Sequence, residues 1–202
     1  MILSVQNLRK EYTRGFMRRE VTFSLEASLS VEHPEIVGVM GPNGSGKTTL
    51  FELMTGSNTP TSGRVLCMGQ DIHAVKAGQR DRLAIHYHQS YQVRRFRRGR
   101  PEFMLERPKT RFPMVHLFDE PQFNTQDGYI GFMLDFFRRL RGEGRVVFLC
   151  LHPTERYHLD ILREVCGRFL FVDRGRVTQF DHFDAACAEP RVAAYLGGDL
   201  RR

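Results

Sequence analysis

No apolar run in this 202-residue sequence is long enough to span a bilayer. The longest, such as Val146 to Leu151, are strand-sized, well short of the ~20 residues a crossing helix needs. The opening MILSVQNLRKEY lacks the basic head, apolar middle and small-residue cleavage site of a secretory leader. There is no low-complexity tract and no internal repeat, so the chain reads as globular rather than biased or repetitive. The four cysteines, Cys67, Cys150, Cys166 and Cys187, are scattered without a C-x-x-C pair, which argues against a zinc site and a disulfide framework. Cys150 and Cys166 stand beside apolar residues and are expected to pack as small hydrophobes. Together these absences predict a cytosolic protein that meets a membrane only through a partner. The length fits one compact domain over residues 1–202.

The charge is unevenly spread. Between Arg94 and Arg111 stand eight Lys or Arg against only Glu102 and Glu106, which accounts for six of the seven net positive charges. Whatever the basicity serves, it is local.

Residues 21 to 31 alternate, with Val21, Phe23, Leu25, Ala27, Leu29 and Val31 on one face, the period of a half-buried antiparallel strand. Residues 2 to 8 predict a strand as well. Glu35 to Met40 is short and apolar and runs into a glycine-rich turn, with a helix expected from Lys47 to Gly56. Further strands are expected at Arg64–Met68, Leu83–His88, Met114–Phe118 and Val146–Leu151. Gly128 to Arg141 predicts an amphipathic helix, and another is expected from Pro153, whose fixed φ suits a first helical position. Phe169–Val172 and Val177–Phe180 flank Gly175 as a hairpin, and Val192–Leu196 predicts a short terminal helix. The order predicts an α/β class: a mostly parallel core with an antiparallel β lobe at the front.

The chemistry-bearing motif is GPNGSGKTT, comprising Gly41, Pro42, Asn43, Gly44, Ser45, Gly46, Lys47, Thr48 and Thr49. It satisfies G-x-x-x-x-G-K-[ST] between a strand and a helix, the context in which backbone N–H groups cradle phosphates. Lys47 is placed to reach the β- and γ-phosphates, and the Thr48 hydroxyl to ligate Mg²⁺; the expected ligand is Mg-ATP. MVHLFDEP ends an apolar strand on two carboxylates. Asp119 is the candidate for the Mg²⁺ water shell, and Glu120 for the general base that polarises an attacking water.

With these motifs in order, the sequence resembles the ATP-binding subunits of ABC transporters. Tyr12 resembles the aromatic that stacks on adenine. TPTSGRVLCMGQDI (Thr59–Ile72) follows the family's strand after the P-loop helix. Gln89 resembles the glutamine that contacts Mg²⁺ and senses the transmembrane partner. His152, ending VVFLCLH, resembles the switch histidine at the γ-phosphate. FLFVDRGRV looks like the closing hairpin, and VAAYLG resembles tails of the branched-chain amino acid and lipopolysaccharide branches.

The resemblance breaks between Gln89 and Asp119, where only twenty-nine residues stand in place of a helical subdomain and an LSGGQ-type signature. Residues 90 to 113 hold no Ser-Gly-Gly run, and PEFMLERPK resembles only the end of the helix after the signature. After DEP, Gln126 stands where an aspartate is expected and Asp127 one place late. The helical subdomain is therefore read as truncated. In the family two subunits sandwich ATP, each P-loop facing the other's signature. The resemblance thus implies a signature-bearing second ATP-binding subunit and a transmembrane permease-type partner, with the chain on the cytoplasmic face of the membrane. The basic segment takes the permease-docking location. Two other readings compete: a nucleotide-dependent interaction module with little turnover, and a nucleic-acid-associated ATPase motivated by the arginines alone. Relatives of the last type carry long insertions where this chain is short, so nucleic acid is not the expected partner.

Overall fold

The computed structural model describes residues 1–15, 20–88, 113–121 and 129–199. Ten strands are β1 (Leu3–Arg14), β2 (Glu20–Val31), β3 (Ile36–Met40), β4 (Ser62–Cys67), β5 (Gln70–Asp71), β6 (Ala84–His88), β7 (Val115–Asp119), β8 (Val146–Cys150), β9 (Arg168–Asp173) and β10 (Arg176–Phe180). The helices are α1 (Lys47–Thr55), α2 (Ala77–Leu83), α3 (Tyr129–Gly142), α4 (Arg156–Val165), α5 (Phe183–Ala188) and α6 (Pro190–Asp199). Gln89, the whole Arg94–Arg111 segment, PEFMLERPK, and Gln126 with Asp127 lie outside the described residues.

The strands form one sheet in the order β5-β4-β1-β2-β10-β9-β3-β8-β7-β6. From β9 to β6 neighbours run parallel, whereas β2-β1-β4-β5 is antiparallel. The mixed α/β class therefore holds, and the front lobe is continuous with the core sheet. The reason is visible in burial. β3, β7 and β8 are buried at every position, the mark of strands covered on both faces. β2 alternates instead, with Leu25, Ala27, Leu29 and Val31 buried and Glu26 and Ser28 exposed.

Strand periodicity divides the interior into two layers. Val37, Val39, Leu117, Val146, Phe148 and Cys150 face α1, whose Leu50, Phe51, Leu53 and Met54 are fully buried. Ile36, Met40, Phe118, Val147, Leu149, Phe169 and Phe171 face the other way, against Phe136, Phe137 and Leu140 of α3 and Leu162 of α4. Each such side chain contributes roughly 1.5–3 kcal/mol when fully buried. Arg168 ties β9 to the start of β3 by pairing with Glu35 and donating to Ser30 O at 2.8 Å.

Some expectations shift. Pro153 is not a first helical residue: α4 starts at Arg156, because Glu155 and His158 form a capping box that fixes the start three residues later. β1 continues to Arg14, since the polar RKEYTR half pairs with β2 despite lacking apolar alternation. Two elements, α2 and α5, had no periodic signal. α2 is held by Arg80, which donates to Gly56 O at the end of α1 (2.6 Å).

Candidate nucleotide site

The parallel strands deliver Met40, Cys150, Asp119 and His88 to one edge of the sheet, the carboxyl end at which α/β sheets form binding crevices. After Met40 the chain curls through Gly41 to Gly46 into α1. Gly41 has φ 148°, and a Cβ there would stand 2.0 Å from Val172 O, so the loop can lie on β9 only with glycine. The turn between β9 and β10 straps it down. Gly175 N–H donates to Ser45 O (2.9 Å), and Gly175 O accepts from Glu26 N–H (2.7 Å). Gly175 itself has φ 75°, with Ser24 O only 1.8 Å from where a Cβ would be.

α1 has no side-chain cap at Gly46, beside which its first-turn N–H groups lie. They open, with the positive end of the helix dipole, toward a cleft of about 250 Å³. Asn43, Gly44, Gly46, Lys47, Thr48 and Thr49 line it, with Phe23 and Glu120 on its walls. Lys47 is buried and folds back, its ammonium donating to Gly41 O (2.6 Å) and Pro42 O (2.9 Å). Ser45 Oγ is buried with no hydrogen-bond partner among the described residues. Helix-end donors, a buried ammonium and an orphaned hydroxyl around one cleft fit a polyphosphate anion.

Asp119 stands beside Thr48 at the start of α1. It is buried at the end of β7, and its Oδ2 accepts a hydrogen bond from the Thr48 hydroxyl at 2.9 Å across 71 residues of sequence. The same Oδ2 lies 3.2 Å from His86 Nε2 on β6. Cys150, beneath, hydrogen-bonds to Asp119; burial, aided by that carboxylate, pushes its thiol well above the ordinary range, so it stays protonated. Among the described residues no three or more His, Cys, Asp or Glu side chains converge as a metal cage. A cation here would rest on Thr48, Asp119 and substrate oxygens, the donor set suited to Mg²⁺.

Glu120 is half-buried on the cleft wall. Its φ of 51° is left-handed, a conformation that is costly outside glycine, and its N–H donates to Cys150 O (3.0 Å). The turn aims adjacent carboxylates differently, Asp119 at Thr48 and Glu120 at the cleft. His152 follows β8 and does not line the cleft: its Nδ1 lies 3.2 Å from the Tyr195 hydroxyl of α6. Tyr12 stands one ring away from the cleft, with its centroid 6.2 Å from that of Phe23. Its hydroxyl accepts from Asn58 Nδ2 (2.8 Å), and Lys10 Nζ lies 5.2 Å over its ring.

Three contributors escaped sequence reasoning. Phe23 looked like a core residue of its strand, and Tyr195 like a residue of a terminal helix. His86 read as the middle of LAIHYHQ; only the pairing of β6 with β7 sets it on the α1 face beside Asp119.

Residues 25–122 match the ABC transporter family model. Over 86 residues the chain is 37% identical to the lipopolysaccharide export system ATP-binding protein LptB of Acidithiobacillus ferridurans, covering 43% of this chain and 33% of that protein. Over 82 residues it is 38% identical to the lipoprotein-releasing system ATP-binding protein LolD of Xanthomonas campestris pv. campestris, covering 41% of this chain and 34% of that protein. The match thus spans about a third of the length of these curated relatives. In fold, the chain superposes on a nucleotide-free ATP-binding cassette from an ABC transporter with a TM-score of 0.71 at 16% identity, over 96% of this chain and 98% of that one. A dimeric, post-hydrolysis cassette bound to ADP and Pi gives 0.66 at 15% identity, over 89% and 98%. Among the described residues no helix is long and apolar enough to cross a membrane.

Proposed function

We propose that the chain, whose residues 25–122 match the ABC transporter family model, binds Mg-ATP and hydrolyses it as the nucleotide-binding subunit of a membrane transport assembly. The observation that carries this reading is the 2.9 Å bond between Thr48 and Asp119, which joins the P-loop helix to the strand-end carboxylate at the cation position. In this reading the first-turn N–H groups of α1, Lys47 and the Gly41–Gly46 backbone bind and orient the triphosphate. Thr48 and Asp119 hold the magnesium ion, with Gln89 joining them by resemblance. Bound there, that ion would neutralise charge on the β- and γ-oxygens. Glu120, on the cleft wall, takes a proton from the attacking water. His152 reaches the γ-phosphate with Nε2 while Tyr195 holds Nδ1. Tyr12, with Phe23, supplies an aromatic surface for the base.

Because the sequence carries no Ser-Gly-Gly run, the complete site pairs this P-loop with a signature-bearing second subunit, and a permease-type protein anchors both at the cytoplasmic face of the membrane. The test is Mg-ATP binding and phosphate release by the purified chain. Lys47→Ala should weaken the first about 100-fold, and Glu120→Gln should suppress the second about 100-fold while binding persists. Absence of saturable Mg-ATP binding by the wild type sinks the reading. Trapping the Glu120→Gln chain with Mg-ATP in solubilised native membranes tests the assembly. Recovery of a second ATPase with a membrane protein is the expected result.

A nucleotide-gated interaction module remains the second reading, favoured by the tie of His152 to Tyr195 outside the cleft. Persistent binding without turnover in the presence of every recovered partner would select it.

A further inference from the structure

Cys150 reads from the sequence as a small hydrophobe, yet its place in the sheet gives it a second use. It is fully buried at the end of β8 and is the direct partner of Asp119 in the parallel register of β7 and β8. Residues paired in a ladder point to the same face. That face is the one under α1, where Asp119 bonds Thr48 and Cys150 packs in one layer with Leu117 and Phe148. The thiol meets the carboxylate there, and the two are hydrogen-bonded. An ionised carboxylate only accepts, so the thiol is the donor. Cys67, buried elsewhere in the same layer, spends its thiol on a carbonyl instead, Leu83 O at 3.4 Å. The backbone of Cys150 serves the neighbouring acid: its carbonyl accepts from Glu120 N–H (3.0 Å) at the left-handed turn.

We propose that Cys150 is a positioning residue of the nucleotide site: its thiol holds Asp119 in the orientation that receives the nucleotide-bound magnesium ion. The inference deepens the proposed nucleotide site and rests on it. The Thr48 bond ties the carboxylate to the P-loop helix, and the thiol ties it to β8. Anchors from two different elements fix the plane of the carboxylate, where a single one leaves it free to swivel. Groups that orient an ion's oxygen ligands in this way govern its affinity nearly as strongly as the ligands do. An aliphatic side chain at position 150 packs equally well in the apolar layer but offers Asp119 no donor. Serine keeps a donor there, and alanine removes it.

The test is a Mg²⁺ titration of the binding of a fluorescent, non-hydrolysable ATP analogue to the full chain, run beside binding of the same analogue in EDTA. Cys150→Ala should raise the Mg²⁺ midpoint about tenfold and leave the EDTA affinity unchanged, while Cys150→Ser should stay within about threefold of wild type. A role in packing alone lowers the urea midpoint and leaves the Mg²⁺ midpoint where it was. An unmoved Mg²⁺ midpoint in Cys150→Ala therefore overturns the proposal. So does a Cys150→Ser midpoint shifted as far as that of alanine, or an equal loss of affinity in EDTA. Infrared spectroscopy decides independently of the alanine variant. The S–H stretch of Cys150, assigned by the difference between wild type and Cys150→Ser, should stand below that of an unbonded thiol; a band at the unbonded frequency overturns the proposal. Any of these failures beside Mg²⁺-dependent binding by the wild type removes the inference alone. No binding of the analogue with or without Mg²⁺ removes it together with the nucleotide site.

Discussion

The face of the sheet that carries α1 ends in charge, whereas the face beneath α3 and α4 ends in aromatic rings. On the first, the alternating positions Leu117 and Asp119, Phe148 and Cys150, and Ala84 and His86 run from apolar packing to the polar groups beside Thr48. On the second, Phe118 packs within 4.9 Å of Phe137 and 4.5 Å of Tyr87, centroid to centroid, and His116 with Tyr87 is a buried polar pair. The difference teaches where preorganisation resides. The α1 face holds its polar groups by short internal bonds before any ligand arrives, while the other face supplies rigidity and ties His152 to Tyr195 away from the cleft.

Acid should break the aromatic face first. Burial, with the charge of Arg145 adding to it, pushes the His116 ring down to about 3 from its ordinary 6.5. The folded state therefore requires the neutral ring. The stability this provides is complete above pH 6.5 and is lost as pH falls through that window toward 3, by up to ~1.4 kcal/mol per pH unit. Urea midpoints should drop steeply between pH 6.5 and 4, and His116→Phe should flatten the slope. An unchanged slope in that variant removes His116 as the cause.

On the α1 face the largest effect should come from Gly175→Ala. A Cβ pressed on Ser24 O at a left-handed φ should cost about 3 kcal/mol in denaturant and loosen the strap on Ser45. Lys47→Ala should weaken Mg-nucleotide binding about 100-fold, roughly 2.7 kcal/mol, with little change in the urea midpoint. The smallest effect tests the link between the faces. Tyr195→Phe should slow phosphate release about fivefold, ~1 kcal/mol, and leave nucleotide affinity unchanged. An equal change in affinity would mean that α6 acts on binding rather than on His152.

Much of this was legible because strand periodicity and glycine punctuation are local signals. β2, β3, β7, β8 and the β9–β10 hairpin stand within a residue or two of expectation. Six of the nine motif residues, Asn43, Gly44, Gly46, Lys47, Thr48 and Thr49, line one cleft. What escaped depends on pairing across the chain. His86 gains its meaning only from the register of Ala84–His88 on Val115–Asp119, and Tyr195 only from the docking of α6 near Phe171. The start of α4 shifted because a Glu155–His158 cap outcompetes a proline cue. α2 lacks an apolar stripe, and Arg80 bonds it to the end of α1.

The strap at Gly175 also has a consequence for synthesis. β3, which launches the P-loop, lies between β8 and β9, and the loop's anchor comes from the β9–β10 turn. Every neighbour that braces residues 36–46 on the sheet is thus translated more than a hundred residues later. A nascent chain arrested before Gly175 leaves the ribosome has the complete motif but not the scaffold that shapes it. The nucleotide can help only the last stage of folding, after the hairpin has emerged.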